Sequence, residues 1–209
     1  MNYLNAFRPL IVTSAGKRAV TRFELPPFID GSIRREPDLE SPFPSITALC
    51  RADLFAPRLR LGDRIVYITV KRPYPPVEQS HWRLVALLRV IERFQNHSEA
   101  AGWYTDRKLT LPNNCLVPGN PPTPIERSSH PSRDPRSWEL GYQLRARKTP
   151  IFIICEPVFI ELQNPPVITE NDMIVAFGRI PGLQNPPGLS NIEYERILTL
   201  ADVWRKVTA

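Results

Sequence analysis

Twenty-four of the 209 residues are proline, about twice the ~5% usual in globular chains. Proline lacks a backbone N–H and interrupts both helix interiors and central strands, so the chain is limited to short elements joined by irregular segments. Seven of these prolines fall in residues 111–135, among Asn, Ser, Gly and Arg. That composition cannot form a core of its own and predicts a long loop or insertion. The chain as a whole can still bury roughly 70% of its unfolded surface. Its 42% hydrophobic and 23% charged residues fit one α+β domain over residues 1–209.

Residues 3–12 and 19–25 read as extended segments forming an opening hairpin around Ser14, Ala15 and Gly16, and residues 26–44 as a proline-punctuated surface loop. Ser45 or Thr47 is placed to cap a short helix that Pro57 stops beyond Phe55. A β-branched strand over residues 64–70 follows the Gly62-Asp63 turn, and a longer strand, residues 82–94, carries Leu84, Ala86, Leu88 and Val90 on one face. Asn96 with Glu99 predicts a capped helix running to Trp103-Tyr104, and Asp134-Pro135 a helix through Trp138 to Arg145, Arg147 and Lys148. Residues 151–162 predict a buried strand with a bulge or edge at Pro157. Ser190 with Glu193 predicts a closing helix over residues 192–206.

The chemistry present favours binding over catalysis. No phosphate-binding glycine loop, dinucleotide fingerprint or zinc-ligand spacing occurs, so no cofactor and no metal are expected and catalytic residues stay unassigned. His81, His97 and His130 read as surface or capping residues; the pairs Asp38/Glu40 and Glu170/Asp172 read as solvated. Cys50, Cys115 and Cys155 form no CxxC pair and leave an odd thiol, which fits a reducing, cytoplasmic setting. The first residues lack the pattern of a secretory signal and no apolar run approaches the ~18 residues of a membrane span. A formal charge of +6 and a pI near 9.5 favour a polyanionic partner.

Trp82, Trp103, Tyr104, Trp138 and Tyr142 are interleaved with Arg51, Arg58, Arg60, Arg83 and Arg136, an inventory in which aromatic faces stack on bases while arginines meet phosphates. For a single tryptophan such as Trp82 or Trp138 the competing reading is a core residue. Trp103-Tyr104 is the strongest pair, because two adjacent large aromatics ending a short polar helix cannot both face the core. Cys50-Arg51 reads either as a pocket lining or as a buried thiol beside a surface guanidinium.

The run ITALCRADLFAPRLRLGDRIVYITV, followed by WRLVALLRVIERF and a short helix, resembles the PUA-like superfamily, especially EVE, YTH and ASCH domains and the nucleotide-modification-associated domains of bacteria and phages. The resemblance covers residues 46–104, with a weaker echo at residues 174–178 (IVAFG). The chain departs from EVE and YTH in lacking their tryptophan-rich segment before the Gly-Asp turn, and the insertion at 111–135 has no counterpart. The resemblance implies a mixed β-barrel with short flanking helices whose pocket accepts a flipped or modified base. By position it implicates Thr47, Cys50 and Arg51 before the Gly-Asp strand and Trp103 and Tyr104 after the long one, to which Trp82 is added for the base and Arg58, Arg60 and Arg136 for phosphates. The expected function is a nucleic-acid-binding module, for DNA or RNA, in a bacterial or phage modification or defence context. The alternatives are an enzyme acting on nucleotides or nucleic acid, and a protein-interaction subunit that uses the proline-rich loop.

Overall fold

The computed structural model describes residues 1–49, 54–130 and 134–208. Strand β1 (Asn2–Phe7) is followed by helix α1 (Ser14–Phe23) and by β2 (Ser45–Thr47), β3 (Arg64–Thr69), β4 (Arg72–Tyr74) and β5 (Val77–Phe94). Helices α2 (His97–Asp106) and α3 (Pro135–Lys148) lead to β6 (Phe152–Ile160), β7 (Val167–Ile168), α4 (Glu170–Phe177), β8 (Gly188–Leu189) and α5 (Asn191–Thr208). The main sheet runs β2-β6-β5-β3-β1-β8, with β4 and β7 paired to the first part of β5. The β1–β3 pair is parallel, and the other pairs are antiparallel.

The α+β class is as the sequence predicts, but the sheet is open and does not close into the expected barrel. Closure requires the two end strands to pair along their length. Here they are three and two residues long, and Pro44 precedes β2 while Pro186 and Pro187 precede β8. Such proline-flanked stubs have almost no ladder to offer.

Both faces of the sheet are covered, which is why β3 reads as an unbroken apolar run. Along β1 and β3, Tyr3, Phe7, Ile65 and Tyr67 enter one core. Their alternates Leu4, Ala6, Val66 and Ile68 enter a second, against Met173 and Phe177 of α4 and Tyr194, Ile197 and Ala201 of α5. The first core is covered by the segment between α1 and β2. That segment is not the predicted surface loop: Asp30, Arg34, Arg35, Glu36 and Asp38 are each 7% exposed or less. They tolerate burial because each is hydrogen-bonded or ion-paired. Arg35 alone donates to the carbonyls of Asp30 (2.6 Å), Ser32 (3.0 Å) and Arg127 (2.9 Å). Asp38, expected to be solvated, accepts the N–H groups of Glu40 (3.1 Å) and Asn113 (2.5 Å).

Two further expectations are corrected. Residues 14–23 form α1 rather than half of a hairpin: Thr13 Oγ1 accepts from Gly16 N at 3.0 Å, and Ala15, Gly16 and Ala19 turn inward. Ser45–Thr47 is a strand paired with Phe152–Ile154, not a helix cap, because those residues can complete the ladder of β6; Ala56–Arg58 downstream is a 3-10 turn. Strands β3, β5 and β6 form as expected, but β5 begins at Val77, and a register shift against β3 turns Leu84 into the second core, away from Ala86, Leu88 and Val90, with which it was expected to share a face. The register of β6 slips around Pro157. So do the caps at Asn96, Asp134 and Ser190/Glu193. Asp172, read as solvated, is half-buried and closes a capping box with Thr169. Residues 111–130 form a long loop whose one regular piece is a 3-10 turn, Ile125–Arg127. Asn114, Cys115 and Ser128 of that loop are fully buried. Among the described residues no helix is long and apolar enough to cross a membrane.

Candidate functional site

Asn5 sits at the middle of β1, in register with Tyr67 of β3, and faces a cavity of about 740 Å³. The cavity is walled by the loop from Asp30 to Pro37, by Thr47, and by Trp138, Tyr142 and Arg145 of α3. Asn5 is 5% exposed. Its Oδ1 is enclosed with no hydrogen-bond partner, and among the described residues its amide nitrogen makes no hydrogen bond either. A buried polar group left unpaired costs about 1–3 kcal/mol, so Asn5 holds an open bonding position in the cavity wall.

Asp30 supplies a second open position. Its Oδ1 accepts from Ser32 N (2.9 Å), Ser32 Oγ (2.5 Å) and Glu36 N (3.0 Å), while Oδ2 accepts nothing among the described residues. Burial raises its pKa above the ordinary carboxylate range, opposed by these hydrogen bonds and by the charge of Arg35. Glu36 is used structurally. Oε1 accepts from Thr47 N at 2.9 Å, and Oε2 meets the Thr47 hydroxyl and Asn114 Nδ2 (3.2 Å). Burial pushes the Glu36 carboxyl up to about 8.

The opposite wall is aromatic. Trp138 and Tyr142, one turn apart on α3, lie nearly parallel (6.4 Å, 27°), and His130 stacks on Trp138 (4.6 Å, 24°). The Asp134-Pro135 start fixes the phase of this helix. The guanidinium of Arg145 lies 4.8 Å from the Tyr142 ring, and exposed Arg8 also lines the cavity. Two cations thus stand beside a pocket whose interior combines an amide, a carboxylate and aromatic faces.

Of the residues singled out from the sequence, Thr47 lies in this cavity; Cys50 and Arg51 lie outside the described residues. Trp82 is buried in the second core with the Lys71 ammonium 5.0 Å over its ring. Tyr104 is fully buried, its hydroxyl donating to Phe43 O at 2.7 Å. Half-buried Trp103 packs edge-on to Phe43 (5.3 Å), under Arg107 (3.9 Å), and donates to Glu92 at 3.3 Å. Neither Trp103 nor Tyr104 lines the cavity. Arg58 is bound to Asn185 and lies over Tyr3; Arg60 and Arg136 are on the surface. Of the histidines, His81 and His97 are buried rather than superficial, because each ring nitrogen Nδ1 finds a backbone partner.

Sequence reasoning missed Asn5, Asp30 and Glu36. For Asn5 a signal existed, a lone polar residue inside the run YLNAF, and for α3 the spacing of Trp138 and Tyr142 was another. Among the described residues no group of three or more His, Cys, Asp or Glu side chains is arranged to hold a metal ion. Comparisons with protein-family models, curated proteins and solved structures find no match. Fold and site together define an α+β protein with an open mixed sheet and a polar, aromatic-walled cavity.

Proposed function

We propose that this cavity receives a flipped or modified nucleobase, and that the chain is a nucleic-acid-binding module, PUA-like in origin and suited to a bacterial or phage modification or defence setting. The observation that carries this reading is the pair of unfilled positions at Asn5 and Asp30, set opposite the Trp138–Tyr142 wall. Asn and Asp are side chains that read base edges through paired donors and acceptors, each good pair worth about 1–3 kcal/mol. Stacking adds about 1–3 kcal/mol per base. Together these offset the few kcal/mol needed to extrude a base. A volume of about 740 Å³ suits a nucleotide-sized ligand, and the +6 charge draws the polyanion in.

Fluorescence-anisotropy titrations against single- and double-stranded DNA and RNA, with and without modified bases and at two salt concentrations, test the reading. Binding is expected to be salt-dependent, to favour one modified base, and to be lost in Asn5→Ala and Trp138→Ala while Trp103→Ala binds normally. No binding to any probe at low salt, or equal loss in Trp103→Ala, overturns it. The unengaged Oδ2 of Asp30, on a carboxyl of raised pKa, favours one second reading, an enzyme using Asp30 as general base. That reading requires turnover that Asp30→Asn abolishes while binding survives.

A further inference from the structure

Helix α3 has a second cavity on its other side. Trp138, Tyr142 and Arg145 line the first, whereas Glu139, Gln143, Ala146 and Arg147 line another of about 800 Å³. Its remaining walls are Arg34, the start of α2 at His97 and Ser98, and the proline-rich loop over residues 116–122.

The walls of this cavity are largely apolar, with Leu116, Val117, Ala146, Pro150 and the loop prolines, and several hydrogen-bond donors are set among them. His97 is 6% exposed. Its Nδ1 accepts the N–H of Leu116 at 3.1 Å, which puts the ring proton on Nε2, and that Nε2 is buried with no hydrogen-bond partner. Burial and the charge of Arg34 push the His97 pKa down to about 4, so the ring is a neutral donor near neutral pH. His97 and Ser98 open α2. Asn96 Oδ1 takes the N–H of Glu99 (2.8 Å) and Asn96 O that of Ala100 (3.5 Å), leaving the first two N–H groups of the helix unpartnered among the described residues. A helix start of this kind attracts anions through its free N–H groups and its dipole. Exposed Arg147 adds a cation. The one carboxylate in the wall, Glu139, is already neutralised by Arg34, and the carboxylate of Glu99 faces Gln95 N and Asn96 Nδ2 outside the cavity.

We propose that this second cavity binds a phosphate group, held by the Nε2–H of His97, the first-turn N–H groups of α2 and the guanidinium of Arg147. The site is distinct from the base pocket and does not depend on that reading. A phosphate here belongs either to a nucleic-acid backbone or to a free phosphate compound; the chemistry of recognition is the same.

The test is a titration of the full chain with inorganic phosphate, followed by the ring NMR signals of His97. The Nε2–H signal is expected to shift saturably. Arg147→Ala should weaken binding roughly tenfold, the weight of one charge-assisted hydrogen bond. His97→Asn offers a side-chain oxygen in place of Nδ1 for Leu116 N–H but has no Nε2–H, and should abolish binding with an unchanged circular dichroism spectrum. Asn5→Ala should bind phosphate as the native chain does. A His97 signal that phosphate leaves unmoved, or an Arg147→Ala protein of native affinity, overturns the proposal. If an oligonucleotide competes with phosphate and loses affinity in Arg147→Ala, the site holds a backbone phosphate. If phosphate binds but oligonucleotide affinity is untouched, the site supports a free phosphate ligand.

Discussion

Glu36 closes on Thr47 with both carboxylate oxygens: Oε1 accepts the Thr47 N–H at 2.9 Å, and Oε2 is bonded to the Thr47 hydroxyl. This pair joins the buried loop behind Asp30 to the edge strand β2, and so fixes one wall of the cavity that Asn5 lines. The carboxyl is enclosed, with Asn114 Nδ2 as its third partner at 3.2 Å.

Stability should therefore depend on pH through Glu36. Its pKa is raised by burial from 4.5 to about 8 in the folded chain, so the native state holds this proton more tightly than the unfolded state. The stabilisation is complete below about 4.5 and is lost as pH rises through about 8. Asp30 and Asp38 are raised in the same direction but persist in a Glu36→Gln variant. The difference in Tm between native and Glu36→Gln proteins should move against the native chain across that window. A flat difference from calorimetry would show that Glu36 titrates normally.

Arg34 lies at the junction of three segments. Its guanidinium pairs with Glu139 of α3 and donates to Asn113 O and Asn120 O, both at 3.0 Å. The Arg34 side chain is 4% exposed, so removing its counter-charge strands a buried cation. Glu139→Ala should cost about 3–5 kcal/mol in urea unfolding. A loss below about 1 kcal/mol, the range of an exposed pair, would mean that water replaces the carboxylate.

The same substitution should have opposite signs at two helical glycines. A Cβ at Gly16 would lie 1.6 Å from Leu10 O and 2.7 Å from Leu10 C, both backbone atoms. Gly16→Ala must displace the start of α1 and should destabilise by about 2 kcal/mol or more. At Gly102, in α2, nothing lies within 4 Å of the added methyl, and Gly102→Ala should stabilise by about 0.5–1 kcal/mol. Thermal unfolding of the two variants checks both signs.

What was legible in the sequence was local. Asn96 with Glu99, Asp134 with Pro135, and Ser190 with Glu193 each solve the unpaired N–H groups of a helix start within three residues. Apolar continuity likewise marked β3, β5 and β6. Helix α1 was lost because Ala15, Ala19 and Phe23 are spaced for a helix while the short apolar groups on either side of residue 16 also read as strands. The expectation that Trp103 and Tyr104 cannot both face the core fails: Tyr104 is fully buried, and half-buried Trp103 packs against the same cluster, tied to Phe43, Glu92 and Arg107 and lining neither cavity described above.

The sequence by itself determined the class of fold, the loop-rich architecture and most helix starts, because propensity, capping and proline act over a few residues. Only the tertiary structure decided that the charged segment behind Asp30 is buried, since Arg35 finds its carbonyl partner at Arg127 and Arg34 its carboxylate at Glu139, about a hundred residues away. It also decided where the cavities lie. Asn5, Asp30 and Trp138 come to line one cavity, and His97 and Arg147 another, only after β1, the buried loop, α2 and α3 have packed together. Burial and long-range pairing are properties of the assembled chain, and no window of neighbouring residues encodes them.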